Sequence, residues 1–197
     1  MQSDIQCGHT MLSNILHFII SIVFSLFGIA LLIRAWIYAI RLHPFNPYSQ
    51  GILRLSNWLI QPLRKVIAPG DRIDWPSLLA CWLTAFVFLL LSWTLLTGML
   101  PSINSLLPGL VAAVLTMAKW AFNLILWATL IQVILSWVNP MSPMMTILQT
   151  LTAPMLNPIR RVMPDLGGLD LSPLVLLVLA QVAMMILQHF AFSLFGV

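Results

Sequence analysis

The chain has 197 residues, of which 60% are hydrophobic and only 7% are charged. A soluble domain carries charge on roughly 25% of its residues, so this composition excludes a soluble globular protein and a disordered chain. The mean hydropathy of +0.99 instead predicts an all-α protein that crosses a membrane several times. The nine Lys and Arg residues outnumber the five Asp residues, and they lie beside apolar segments. There they predict contact with anionic lipid and not with nucleic acid.

Four apolar segments are long enough to span a bilayer, which takes roughly 20 residues of helix. They cover residues 11–40, 78–100, 110–138 and 173–194. Residues 1–10 precede the first span as an N-terminal tail. Residues 101–109 are uncharged and contain Pro and Gly, so they are expected to form a short turn outside the membrane.

The two longer connections, residues 43–77 and 139–172, hold most of the positive charge. Because positively charged loops stay in the cytoplasm, we expect both connections on the cytoplasmic side and both termini outside. The N-terminal tail agrees with this orientation, since it carries Asp4 and no basic residue.

Each long connection contains the pattern of an amphipathic helix. Asn46-Pro47 and Ser142-Pro143 each combine a capping residue with proline at the first helical position. Apolar residues then recur at helical spacing with basic residues mostly opposite, as in a helix that lies in the membrane interface. An ordinary cytoplasmic hairpin is the alternative. Pro62, Pro154 and Pro158 lack a backbone donor, so we expect these helices to kink or restart.

The two connections repeat one another at a constant offset of 96 residues. Pro44 and Pro47 match Pro140 and Pro143, and residues 62–67 match residues 158–163. The chain therefore divides into a first repeat, residues 11–100, and a second repeat, residues 110–197. Each repeat consists of a span, an amphipathic helix and a second span. Because each crosses the membrane twice, the two repeats have the same orientation and form a parallel pair.

The second repeat contains a long and specific set of motifs. They are Ser-Trp-Val-Asn-Pro at 136–140, Leu-Thr-Ala-Pro at 151–154, Pro-Ile-Arg-Arg-Val-Met-Pro at 158–164 and Gly-Gly-Leu-Asp-Leu-Ser-Pro at 167–173. This sequence resembles the YggT family, also called YlmG-like. The first repeat is similar to a degraded copy, in which Arg41 replaces Trp137, Ala68 replaces Pro164 and Trp75-Pro76 replaces Leu171-Ser172.

The resemblance implies a bacterial inner-membrane protein built from two family repeats. Relatives have been tied to osmotic tolerance and potassium uptake, and to division and envelope organisation. In chloroplasts they have been tied to nucleoid distribution and cytochrome cofactor assembly. None of these roles follows from the composition of this chain.

Two basic pairs and two aspartates are the main candidates for a functional site. Arg64-Lys65 precedes Asp74 by about ten residues, and Arg160-Arg161 precedes Asp170 by about the same distance. Each Asp lies just before a membrane helix, where the helix dipole favours a negative group. We interpret the set as a scaffold of ion pairs, helix caps and lipid-phosphate contacts. A surface that docks a partner, or a regulated ion pathway, is the alternative.

Three further residues carry weaker hypotheses. Lys119 is the one charge deep inside a span, which makes it a candidate for an ion pathway, although its side chain can also snorkel to the interface. His17 and His189 lie near the outer ends of the first and fourth spans, and two His from separate helices can ligate haem iron. Hydrogen bonding between neighbouring helices is the simpler interpretation.

No hydrolase triad, phosphate-binding loop or metal motif occurs in the sequence, so we predict a protein that is not an enzyme and needs no cofactor. The leading hypothesis is a scaffold or assembly factor in envelope organisation or osmotic stress. Its basic loops would bind anionic phospholipid and a membrane or cytoplasmic protein. The first alternative is a potassium-linked channel or transporter, which with four spans would require a homo-oligomer. The second is a haem or cofactor assembly factor.

Overall fold

The computed structural model describes residues 2–40, 47–67, 70, 73–162 and 170–195, and helix is the only regular secondary structure among them. The helices are α1 (Gln2–Ile40), α2 (Pro47–Val66), α3 (Trp75–Thr97), α4 (Ile103–Val138), α5 (Pro143–Val162) and α6 (Ser172–Phe195). Four of these, α1, α3, α4 and α6, contain segments long and apolar enough to cross a membrane. The prediction of an all-α protein with four membrane spans in two repeats is confirmed.

The candidate spans are Met11–Ala39, Trp75–Thr97, Ile103–Val138 and Ser172–Leu194. Large apolar side chains such as Phe18 and Val178 are more than half exposed along them. Such surfaces are stable in hydrocarbon, where the helical backbone satisfies its own hydrogen bonds. These four segments therefore have the exterior of a multi-pass membrane protein.

Helices α1 and α3 pack against each other along small and weakly polar residues. Ser13 Oγ donates to the Leu95 carbonyl oxygen at 2.7 Å, and the Cys81 thiol donates to the Gly28 carbonyl oxygen at 3.7 Å. Residues later in α1 thus contact residues earlier in α3, so the two helices are antiparallel. Buried Ala80 and Ala85 lie on the same helix as Cys81, and such small side chains let membrane helices approach closely.

The connecting helices α2 and α5 begin at Pro47 and Pro143, as the sequence predicts. At the start of α5, the Met144 backbone N–H donates to Ser142 Oγ at 3.3 Å. The expected restart at the internal prolines does not occur, since α2 continues through Pro62 and α5 through both of its prolines. Each proline removes a single backbone hydrogen bond, and the remaining turns of a 20-residue helix hold it together.

Several helix ends differ from the sequence-based boundaries. Helix α1 begins at Gln2, so it includes most of the predicted tail, and α4 begins at Ile103, so most of the expected turn at 101–109 is helical. Helix α3 ends at Thr97 and is capped by Gly98, whose φ of 69° suits glycine and whose N–H donates to the Thr94 carbonyl oxygen. Pro108 is a local turn signal, but it costs α4 only one hydrogen bond within a continuous apolar run.

The chain forms two compact units. The first comprises Met1–Met117 with His189–Val197, and the second comprises Ala118–Gln188. Leu31, Ile60 and Ala80 are buried in the first unit. The core of the second unit is built on Ile125, Leu156 and Leu176, against which Phe122, Met155 and Ile159 pack. In both units a buried residue of the connecting helix belongs to the core.

Leu156 of α5 is only 1% exposed, so Leu156→Ala should remove buried contacts and leave a cavity. We expect a loss of about 2–5 kcal/mol in the free energy of unfolding. Val162→Ala on the same helix is the control, because Val162 is 84% exposed. Reversible unfolding in detergent micelles measures both variants, and equal losses would contradict a docked α5.

Candidate functional site

A cluster of buried charges surrounds Asp74, the residue directly before α3. Its side chain has no exposed surface. Asp74 Oδ2 accepts a hydrogen bond from Ser77 Oγ at 2.5 Å and lies 3.5 Å from Arg64 Nη2 and 3.9 Å from Arg34 Nε. Arg34 belongs to α1 and Arg64 to α2. One carboxylate therefore joins the three helices of the first repeat.

Arg34 extends this cluster along α2. Its guanidinium is almost fully buried, and Nη1 donates to Ser56 Oγ and to Asn57 Oδ1, both at 2.8 Å. Sequence reasoning did not select Arg34 as a site residue. The available signal was its position inside the predicted span 11–40, because an ionisable residue within a membrane segment needs polar partners.

The connection between α2 and α3 is fixed to α1 by a further hydrogen bond. The Tyr38 hydroxyl donates to the Gly70 carbonyl oxygen at 2.9 Å, and the Gly70 N–H donates to the Ile73 carbonyl oxygen at 3.0 Å. A Cβ at position 70 would lie 3.3 Å from that Ile73 oxygen and 3.4 Å from the Trp75 indole. Glycine thus allows a close approach at this point.

In the second repeat the corresponding ion pair lies on the surface. Arg160 Nε and Nη2 contact Asp170 Oδ2 at 2.9 and 2.8 Å, and both side chains are nearly half exposed. Asp170 Oδ1 also accepts a hydrogen bond from the Ser172 N–H at 3.0 Å. Partial burial opposes ionisation, but the hydrogen bonds from Ser172 and Arg160 hold the pKa of Asp170 below its ordinary value. The pair is therefore ionised at neutral pH.

The span and the connecting helix of the second repeat are linked by a neutral hydrogen bond. At the offset of 96 residues, Thr152 stands where Ser56 stands in the first repeat, and Leu130 stands where Arg34 stands. Buried Thr152 donates to Gln132 Oε1 at 2.5 Å, so a side chain of α4 again binds this position of the connecting helix. The second repeat thus keeps a polar contact between its span and its connecting helix, but the contact is neutral and not charged.

The predicted basic pairs thus divide into two kinds of residue. Arg64 and Arg160 contact the aspartates, and the structure brings these four residues together as two ion pairs. Lys65 and Arg161 are exposed, and neither forms an ion pair or a hydrogen bond with another residue that the structure describes. Each repeat therefore presents one exposed cation at the end of its connecting helix that is not paired with any described residue.

The remaining candidates are not brought together. Lys119 is half buried in α4, and no described residue pairs with it. His17 packs 6.3 Å from Phe88 between ring centroids, and its Nε2 is buried without a hydrogen-bond partner in the described chain. His189 is exposed beside Phe190. No contact between the two His occurs among the described residues, and a joint haem site stays a prediction.

Comparisons with known proteins cover nearly the whole chain. The sequence model of the CCB3/YggT family matches residues 13–95 and 111–191, which are the two repeats. The chain is 38% identical over 173 residues to an uncharacterised protein of the proC 3′ region of Vibrio alginolyticus, covering 86% of this chain and 91% of that one. It is 35% identical over 170 residues to the uncharacterised YggT protein of Escherichia coli K12, covering 86% and 87%. No solved structure matches it.

The contrast between the buried and the exposed aspartate gives a matched pair of variants. Asp74→Asn leaves Arg34 buried beside a neutral amide, and breaking a buried ion pair costs about 3–5 kcal/mol. Asp170→Asn breaks an exposed pair, which is worth about 1 kcal/mol or less. The free energy of unfolding in micelles and the amount of protein in the membrane test both. If Asp170→Asn were as damaging as Asp74→Asn, the buried cluster would not organise the first repeat.

Proposed function

This chain belongs to the CCB3/YggT family, and we propose that it is a non-enzymatic scaffold of the bacterial inner membrane. In this proposal α2 and α5 lie along the cytoplasmic surface, where they contact anionic lipid and a protein partner. The observation that carries the proposal is the docking of each connecting helix. Both helices have a buried face and end in an exposed basic pair, one residue of which is tied to the Asp before the next span.

The distribution of residues around α5 supports this placement. Its buried residues are Met145, Leu148, Thr152 and Leu156, which recur at helical spacing along one side. Gln149 and Asn157 are exposed on other sides, as is Arg161 near the end. A helix with one apolar face and one polar or basic face is typical of the boundary between headgroups and acyl chains.

Tryptophans at the ends of the adjoining spans support a position of the connecting helices in the headgroup region. Trp75 opens α3 and is 51% exposed, and Trp137 lies at the end of α4 and is 78% exposed. Indole rings favour the headgroup region. Each Trp stands next to the connection that carries the basic pair, so we place Lys65 and Arg161 within reach of lipid phosphates. The excess of positive charge in these connections favours the cytoplasmic leaflet.

Replacement of the exposed cations Lys65 and Arg161 tests the lipid contact. Lys65→Gln with Arg161→Gln should reduce the enrichment of phosphatidylglycerol over phosphatidylcholine around the protein in mixed liposomes. Each basic residue near an anionic surface contributes about 1 kcal/mol, or about fivefold in binding. Lipid extracted with the protein in polymer nanodiscs gives the ratio.

The matched control replaces exposed neutral residues on the same two helices, Gln61→Ala with Asn157→Ala. None of these substitutions removes a residue of the ion pairs to Asp74 and Asp170. A change in phosphatidylglycerol enrichment therefore reflects the lost positive charge and not a loss of the fold. Enrichment that stays the same without Lys65 and Arg161 would remove the lipid part of the proposal. Crosslinkers placed at position 161 then test the protein-partner part.

The half-buried Lys119 gives the transport alternative its own test. For a scaffold we expect potassium flux into liposomes that carry the purified protein to equal the flux into empty liposomes. A flux that exceeds this background and changes with Lys119→Ala would replace the scaffold proposal with a pore in which α4 lines the path. Lys119→Arg, which retains the positive charge, separates an effect of charge from an effect of packing.

A further inference from the structure

A groove of about 480 Å³ lies between α1, α2 and α3 of the first unit, with walls that are almost wholly apolar. Phe24 and Phe27 of α1, Leu59 and Leu63 of α2, and Ala80 and Val87 of α3 form its main surfaces. The parts of α1 and α3 that line it belong to the candidate membrane spans. The volume falls within the range of about 300–1,000 Å³ that small-molecule sites occupy.

Three residues that line this groove have equivalents of known packing in the second repeat. Leu59 and Leu63 correspond to Met155 and Ile159, which pack on a core that includes Leu176. At the position of Leu176 the first repeat has Ala80. The α3 wall of the groove therefore carries a smaller side chain at this position than the second repeat does.

The end of α2 that follows the groove-lining Leu63 is basic. Arg64 and Lys65 directly follow Leu63, and Arg64 is 40% exposed although it also contacts Asp74. Lys65 is exposed and has no partner within the described part of the chain. A ligand that suits both features has a thin apolar part and an anionic end. A helix of a second copy fits poorly, because three turns of about 10 Å diameter need roughly 1,200 Å³.

We propose that the groove holds one acyl chain of an anionic phospholipid whose phosphate is bound by Lys65 and the exposed side of Arg64. This inference rests on the proposed function. It goes beyond general contact between the protein and a charged membrane surface, because it assigns one lipid-binding site in the first repeat. A guanidinium has five donors, so Arg64 can contact Asp74 and a phosphate together. In the second repeat Leu176 stands at the position of Ala80, and that surface is expected to contact lipid without holding a chain.

Photolabelling from within the acyl chain tests the site. The full-length protein is placed in phosphatidylcholine liposomes that contain a trace of phosphatidylglycerol with a diazirine near the end of one chain. Mass spectrometry then maps the labelled peptides. We expect labelling of the α2 and α3 walls, around Leu63 and Val87, and its loss in Ala80→Leu. Val87→Phe at the half-exposed rim is a second blocking variant for the case in which Ala80→Leu does not fold.

The headgroup contact is tested in the same liposomes. Lys65→Gln should lower groove labelling by the phosphatidylglycerol probe to the level of the same diazirine in phosphatidylcholine. Arg161→Gln changes the equivalent residue of the second repeat and should leave groove labelling unchanged. Labelling of the lipid-facing side of α6, around Val178, reports bulk lipid and should be constant in every variant.

Several results would overturn the proposal. They are equal groove labelling by the two wild-type probes, labelling that survives in folded Ala80→Leu or Val87→Phe, and crosslinks that place a second copy in the groove. If the protein still enriched phosphatidylglycerol in those cases, the groove assignment would fail and the scaffold proposal would stand. Absence of any preference for anionic lipid would remove both the groove assignment and the lipid part of the scaffold proposal.

Discussion

The carboxylate of Asp74, which has no exposed surface, is the constraint on which the first repeat depends. Removing an ion from water costs several kcal/mol unless opposite charge and hydrogen bonds replace the lost solvent. Arg34 reaches it from α1, Arg64 from α2, and Ser77 from the first turn of α3. Arg34 also binds two residues of α2. That helix therefore cannot shift along the spans without breaking the hydrogen bonds of the buried Arg34 guanidinium.

The second repeat satisfies the same geometry with less charge. A neutral bond between Thr152 and Gln132 takes the place of the Arg34 contacts, and the Arg160–Asp170 pair lies on the surface. A buried ion pair contributes more to a single arrangement than to net stability, whereas a neutral bond costs less to bury. The two repeats thus use different side-chain contacts to hold the connecting helix, although that helix occupies the same place in both repeats of the sequence.

Features that depend on neighbouring residues could be predicted from the sequence. The spans follow from apolar length, and the starts of α2 and α5 follow from Pro47 and Pro143. The pairing of Arg160 with Asp170 follows from their spacing. The role of Arg34 could not be predicted, because its partners Ser56 and Asn57 lie 22 and 23 residues away. The turn signal of Pro108 was overridden by the apolar run around it, and the groove could not be predicted because its lining residues come from three separate helices.

Arg64 connects the buried cluster to the proposed lipid site. Its guanidinium contacts Asp74 on the inner side while 40% of the side chain is exposed, so a phosphate can bind it without displacing the aspartate. A ligand that binds only the folded state stabilises that state, by an amount that grows with the ligand concentration relative to its Kd. On this assignment, anionic lipid would strengthen the docking of α1, α2 and α3 through Arg64. The composition of the bilayer would then set how firmly α2, with its exposed Lys65, is held at the membrane surface.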